Sequence, residues 1–571
     1  MIVYGDHAER ACPAERIEQI AAELRQIEAM PAGIARHGAL VAAFVALARI
    51  AQGIADAHFQ EVGADGGSPA EADLLASLVE LAHAIMASWH GGFAVVSLPK
   101  PACPARLPDA VELRRPEGHA FYAVYPEAYA LAAARLVLKA PPRVIGIRSI
   151  GTGLAAMVAA MLGAPPPLTV RPISHPFRRR IEMASEIAAA LPAEDCHYVV
   201  VDEGPGLSGS SFAAVAGFLE ARNVPRDRIA FLPSHGGNPG AQASNAVRRR
   251  WAEAQRPVVE MDELIPPARL AAWVSSLVGP LVAPPEDISG GAWRRHVFTD
   301  ERDWPAVDPY RERRKFLVRT AKGRWLARFA GIGEGAYKLE RARTLHAAGL
   351  VPEVRGLVHG FLVERWEEAR PLDPAATDAI GAVAHYLGLR TRLLPSPVTE
   401  GATLPALFEM AECNIRVGLG EREALRFAAR HAPDAALAAR AIPVATDNRC
   451  DMQEWLHLPD GRILKADALD HDMGHDLVGP QDPAWDVAGA AAEFDLEDER
   501  LALLVALLDR IAPRPIDLAL LGFFRPCYLA FRLGAARLAA GTLANWPAEA
   551  MRNEASAERY AQRLARLLAC P

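Results

Sequence analysis

The chain has 571 residues, 51% hydrophobic and 23% charged, a globular composition long enough for about two to four domains. A formal net charge of -7 gives no general basis for nucleic-acid binding. The seven cysteines are scattered without a CxxC pair, which argues against a disulfide scaffold or a zinc ribbon.

Two local basic runs, Arg178-Arg179-Arg180 and Arg248-Arg249-Arg250, read first as solvated faces, with phosphate contact as the alternative. The amino terminus carries charges where a signal peptide needs an apolar core, and the apolar run 39–48 is cut by Arg49. No segment is expected to supply the roughly 20 clean apolar residues of a membrane helix. The expectation is a cytoplasmic protein acting on small molecules, with no nucleic acid and no membrane, and with a homo-oligomer left open.

In chain order, residues 14–98 have helical periodicity, and Ser68 before Pro69 and Glu71 predicts a capped helix start. The proline-rich PKPACPARLPD (99–109) closes this helical region, set at 1–100. Between 101 and 278 helices alternate with short apolar strands: helix 127–139, strand 143–148, helix 153–162, strand 168–172, helix 181–191, strand 198–202, helix 210–222, strand 228–232. Such alternation predicts a parallel sheet covered by helices, with ligands at the carboxyl ends of its strands. A Pro/Gly-rich stretch at 279–300 reads as a linker. The remainder, 301–571, opens with a hairpin turning near Lys322-Gly323, continues with a helix and the strand-like GFLVERW (360–366), and ends in amphipathic helices. The fold class expected is multidomain α/β: a helical region, a parallel-sheet domain and an α+β domain.

Two strand ends carry unusual chemistry. VVVDEGPGLSGSS (199–211) runs from a buried strand through Asp202 and Glu203 into small and hydroxyl residues before a helix, and RSIGTG (148–153) occupies the equivalent place on another strand. Backbone N–H groups and the dipole at a helix amino terminus favour a phosphate, whereas two acids favour a sugar diol or a ligand-borne cation. Together these loops resemble the phosphoribosyl-diphosphate and pyrophosphate loops of type I phosphoribosyltransferases, over about residues 110–240. That resemblance implies Asp202 and Glu203 on the ribose hydroxyls and Ser208, Gly209, Ser210 and Ser211 around the 5'-phosphate. It also implies Arg148, Ser149, Ile150, Gly151 and Thr152 near the pyrophosphate and Mg2+. The departure is one extra residue in GPGL, with Ser in place of the usual Thr. Tyr122, Tyr125 and His235 are candidates for acceptor contact, with packed aromatics and a turn histidine as the alternative.

In the carboxyl half, ILKAD followed by GPQDPAWDVA resembles the end of aminoglycoside-phosphotransferase-type kinases. That resemblance implies Asp467 as a metal-binding acid, Asp486 as the brace of the catalytic loop, and Asp447 in ATDNRCDMQEW (445–455) as the base. Asn448, Asp451 or Glu454 would help hold the metal. Arg328 stands at the nucleotide-binding lysine position, with Glu340 in the next helix. GIGEG (331–335) follows its strand rather than preceding it, and the HGD spelling is absent.

The expected function is a bifunctional transferase using phosphoribosyl diphosphate and ATP with Mg2+. Two alternatives stay open. One is a non-catalytic sensor of nucleotide or phosphoribosyl diphosphate. The other is a metal-dependent hydrolase built on His471, His475 and the acids of 467–476.

Overall fold

The computed structural model describes residues 8–191, 196–376, 378–396, 401–474 and 478–569. Three helices, Pro13–Glu28, Ile34–Val62 and Pro69–His90, open the chain. The Ser68 hydroxyl accepts from the Glu71 N–H at 3.3 Å, the cap expected from the sequence. Ile34–Val62 and Leu518–Thr542 are long and apolar enough to cross a membrane by length and composition, although the sequence pattern led to no such expectation; both are mostly buried inside the protein.

The alternating region forms a four-stranded parallel sheet in the order Leu168–Val170, Pro142–Ile147, His197–Val201, Ile229–Leu232. Helix Gly151–Leu162 is apolar on every side, and its residues from Gly151 to Ala160 are all buried. A helix of that kind needs cover all round. The sheet covers one side, and helices Ile34–Val62, Pro69–His90 and Pro126–Ala133 share its hydrophobic core on the others. The opposite face of the sheet is closed by helix Ser210–Glu220 and Trp251.

Helix Gly151–Leu162 begins hard against the sheet. A Cβ on Gly151 would stand 2.6 Å from the Val201 carbonyl oxygen. This contact holds the two loops at the strand ends side by side.

The second sheet is antiparallel and five-stranded, in the order Val354–Val358, Phe361–Arg365, Gly323–Phe329, Lys315–Thr320, Glu286–Asp287. Glu286–Asp287 belongs to the Pro/Gly-rich stretch 279–300, so that stretch is tied into the sheet as an edge strand. The inner face of this sheet, including Phe316, Trp325, Phe329 and Phe361, joins the core of the first half. Beyond the strand Phe361–Arg365 lies a mostly helical body with its own core, built around Trp485, Phe524 and Tyr528. It carries a small sheet in the order Arg370–Pro371, Trp455–His457, Ile463–Lys465.

Replacing Gly151 by Ala adds helix propensity yet drives a methyl into the Val201 carbonyl. The expected result is a loss of about 1–3 kcal/mol of stability, read as a lower midpoint in denaturant unfolding. An unchanged or raised midpoint would show that the strand–helix contact yields freely.

Candidate functional site

Two places gather the residues singled out from the sequence. The first is the carboxyl edge of the parallel sheet. Strand His197–Val201 ends in Asp202, whose Oδ1 accepts from the Glu203 N–H at 2.8 Å, while Glu203 Oε2 accepts from the Gly118 N–H at 3.1 Å. Gly118 has to be glycine for this approach, since a Cβ would meet the Glu203 carboxyl carbon at 2.9 Å. Both residues keep some solvent contact, but their carboxyl groups sit deep enough to be desolvated. Burial pushes Asp202 up to about 7, and burial with the Asp202 charge beside it pushes Glu203 up to about 8.

Other expected members of this site are engaged elsewhere. Arg148 is buried and turned away from the loop: it donates to Asp56 at 2.8 Å and Thr169 at 2.9 Å, and it pairs with Asp65. Asp56 and Asp65 come from the first helical region, so a charge expected for pyrophosphate is instead neutralised internally. Ser149, Ile150, Gly151 and Thr152 do start the helix beside it, and the buried Thr152 hydroxyl has no partner. Ser210 donates its hydroxyl to the Pro176 carbonyl at 2.7 Å and lies 2.9 Å from the Ser208 hydroxyl, so these two brace the loop. Gly209, at φ +63°, and Ser211 lie at the start of helix Ser210–Glu220.

Of the three acceptor candidates, His235 packs against Gly204 in the acid loop, and Tyr122 is half-exposed and feels the Glu203 charge. Tyr125 does not belong there. Its hydroxyl is buried and donates to the His359 carbonyl at 2.8 Å.

The second place is a cleft of about 820 Å3 between the antiparallel sheet and the helical body. Lys315 and Arg328, cross-strand partners in the sheet, line one wall. Arg449, Asp451, Glu454, Asp467 and His471 line the other. Segment 302–313 closes a further side, and Asn553 of the last helix holds it by donating to the Val307 carbonyl at 2.9 Å.

Asp486, in the first turn of helix Ala484–Glu493, accepts from the backbone N–H groups of Asp447 at 2.8 Å and Asn448 at 2.9 Å. This is the brace that the resemblance implied. Asp447 itself is only 1% exposed and does not line the cleft. Its carboxylate accepts from the Tyr386 hydroxyl and lies 3.2 Å from His471 Nδ1 and 3.5 Å from Lys465 Nζ. Burial alone would raise it, yet Lys465, His471 and Arg390 hold it well below the usual carboxylate range. So placed, Asp447 does not face the cleft, at odds with the base role that the resemblance implied.

Asn448 is likewise committed, donating its amide to the Gly479 carbonyl at 2.9 Å, and Asp451 accepts from Arg532 at 2.6 Å. Asp467 keeps about a third of its side chain exposed in the cleft, with Arg328 Nη1 at 3.3 Å and His471 Nε2 at 3.8 Å. Against its burial, the carboxylates of Asp447 and Asp467 raise His471 to about 10, so it is an imidazolium at neutral pH. Glu454 accepts from Lys465 at 2.5 Å, and burial still lifts it to about 7.

Arg328 is buried between Glu364 and Asp467, each 3.3 Å away. Glu340 is on the surface with Arg343, so it does not meet Arg328. The buried cations of that helix are Lys338, 3.0 Å from Asp470, and Arg341, paired with Asp472. GIGEG packs away from the cleft, where the Ile332 N–H donates to the His119 carbonyl.

The histidine-and-acid cluster disperses in the same way. His471–Met473 is a single tight turn rather than a helix, Asp470 is taken by Arg313 and Lys338, and Asp472 by Arg341. His475 and Asp476 lie outside the described residues. Lys315, Lys338 and Arg449 left no signal in the sequence, since a charged residue bears no mark of the partner or cavity it will face.

No family model matches the sequence, and no curated protein matches it. Among solved structures, the choline kinase LicA from Streptococcus pneumoniae is similar over 45% of this chain and 89% of its own, at 15% identity and a TM-score of 0.31. A choline/ethanolamine kinase family protein from Mesorhizobium loti covers 53% of this chain and 95% of its own, at 17% identity and a TM-score of 0.35. A macrolide 2'-phosphotransferase type I covers 55% and 99%, at 16% identity and a TM-score of 0.32. Likenesses this loose carry no assignment, and the reading of the cleft rests on its own residues.

Because Glu203 has its folded value raised from 4.5 to about 8, the native state keeps a proton that the unfolded chain has lost within that window. Native stability therefore falls as pH rises from 4.5 to about 8. Glu203→Gln removes this term, so the melting temperature of the variant should gain on that of the wild type across the window. Parallel melting curves at every pH would refute the burial of this carboxyl.

Proposed function

We propose that the chain is an ATP-dependent phosphotransferase acting on a small hydroxylated molecule in the cleft between the antiparallel sheet and the helical body. The observation that carries this reading is the Asp486 carboxylate gripping two successive backbone N–H groups while Asp467 projects into the same cleft. Lys315 and Arg328 supply positive charge on the facing wall, as polyphosphate binding requires.

A magnesium ion suits the donors present. Asp467 has exposed surface in the cleft, and magnesium takes one or two carboxylates and fills its remaining places with water and phosphate oxygens. Asn448 would not take part, since its amide is spent on a carbonyl. When bound, the ion would neutralise charge on the phosphoryl group in transfer. Asp467 would hold it, with His471 keeping that carboxylate ionised. Of the acids lining the cleft, Glu454, poised at about 7, is suited to accept a proton from the acceptor hydroxyl.

A second reading is favoured by the burial of Asp447 and by Arg449 in the cleft: nucleotide binding without turnover. ATP with magnesium should raise the melting temperature under both readings. ADP release with a panel of small alcohols separates them. Asp467→Asn should lower turnover by on the order of 100-fold. Full activity in this variant would overturn the phosphotransferase reading, and binding without ADP release across the panel would favour the sensor.

For the parallel-sheet edge we propose a phosphorylated sugar as ligand, phosphoribosyl diphosphate being the form that the two loops suggest. The support is the pairing of Asp202 and Glu203 with two helix amino termini at one sheet edge. The capture of Arg148 by Asp56 and Asp65 removes one expected pyrophosphate contact and favours binding over transfer. Phosphoribosyl diphosphate should raise the melting temperature, and Asp202→Ala with Glu203→Ala should abolish that rise. No rise in the wild type would end this reading.

A further inference from the structure

A third group of ionisable side chains belongs to neither site. His37 comes from helix Ile34–Val62, Glu127 from the first turn of helix Pro126–Ala133, and His359 from the turn between Val354–Val358 and Phe361–Arg365. All three are buried. Their donor atoms lie within 4.8 Å of one another, although the residues are far apart in the chain.

The plain account is a carboxylate that accepts two imidazole hydrogen bonds, and the details fit it poorly. His37 Nε2 and His359 Nε2 both stand 2.9 Å from the same oxygen, Glu127 Oε1. Glu127 Oε2 is left buried with no partner, and His359 Nε2 forms no aligned hydrogen bond despite its closeness. A hydrogen-bonded group would use both oxygens, because a buried unsatisfied acceptor costs about 1–3 kcal/mol. His37 Nε2 is hydrogen-bonded to Glu127 Oε1, which leaves Glu127 Oε2 and His359 Nε2 as the buried, unpartnered atoms, and convergence of three donors on one point is what a shared cation demands. His37 Nδ1 is held by Ser88 Oγ at 3.0 Å, the outer hydrogen bond that orients a metal-ligating imidazole. Trp89, Phe93, Tyr125 and Trp273 wall the group with rings at 4.9–5.6 Å from one or other imidazole.

We propose that His37, Glu127 and His359 bind one divalent transition ion of the zinc class, through both Nε2 atoms and the Glu127 carboxylate. Two imidazoles and a carboxylate are a ligand set that zinc accepts, with bond lengths of about 2.0–2.2 Å and a fourth place for water. Such bonds put neighbouring donors about 3.3 Å apart, a little beyond the 2.9 Å that separates each Nε2 from Glu127 Oε1. Binding requires neutral imidazoles and an ionised carboxylate. Burial lowers His37, which favours the neutral imidazole that binding needs. The ion would join the first helical region, the parallel-sheet region and the antiparallel sheet at one point.

The test uses the full chain, incubated with zinc and desalted, with metal counted by mass spectrometry. About one equivalent is expected, together with a melting temperature lowered by a strong chelator and restored by zinc. His359→Gln and Glu127→Gln should lose the ion, while His471→Ala in the cleft should keep it. Cobalt in place of zinc should give visible absorption of a low-coordinate nitrogen and oxygen site, which reports on the wild type even where a variant fails to fold. No retained metal in the wild type, or metal lost only in His471→Ala, overturns the proposal.

Discussion

An all-apolar helix inside a sheet protein must be covered on every side, and helix Gly151–Leu162 imposes that demand here. The parallel sheet covers one flank only. Helices Ile34–Val62, Pro69–His90 and Pro126–Ala133 supply the rest, with Phe44 and Ala48 packed onto Gly153. Once those helices lie there, Asp56 and Asp65 come within reach of Arg148, and a guanidinium at the strand end becomes part of an internal ion cluster. The packing of hydrocarbon thus decides the electrostatics of the neighbouring loop. The first helical region is a wall of the sheet, and the loop beside it takes its charge from that wall.

In the cleft the governing feature is charge balance under burial. Asp447, His471 and Asp467 form a row in which the imidazolium shields two carboxylates from each other. Asp486 grips the backbone at Asp447, whose side chain points inward and does not line the cleft. Asp451, Glu454 and Asp467 are among the acids that line the cleft, while Asp447 stays inside the loop that Asp486 holds.

Much of the architecture was legible in the sequence because periodicity and caps are local properties. The strands at 143–148, 198–202 and 228–232, the hairpin turning at Lys322-Gly323 and the Ser68 cap all stand within a residue or so of where patterning puts them. The Asp486 contact with the 447–448 backbone agrees with what the resemblance of GPQDPAWDVA to the kinase ending implied. Side-chain direction was not legible. Arg148 sits at a loop position that suits a phosphate, and only the arrival of Asp56 and Asp65, some 80 to 90 residues earlier in the chain, turns it inward. Asp447 turns inward for the same reason: its partners Tyr386, His471 and Lys465 come from elsewhere in the chain. His37, Glu127 and His359 left no signal, because their convergence is wholly tertiary.

The Arg148 cluster also bears on how the molecule can be taken apart. A fragment starting near residue 101 would retain Arg148 and the apolar helix after it, but lose Asp56 and Asp65. Breaking a buried ion pair by removing one partner costs about 3–5 kcal/mol, comparable with the whole stability of many domains. To that is added the hydrocarbon left bare by the missing helices. The proline-rich stretch at 99–109 looks in sequence like a place to cut, yet the forces that hold the sheet together pass across it.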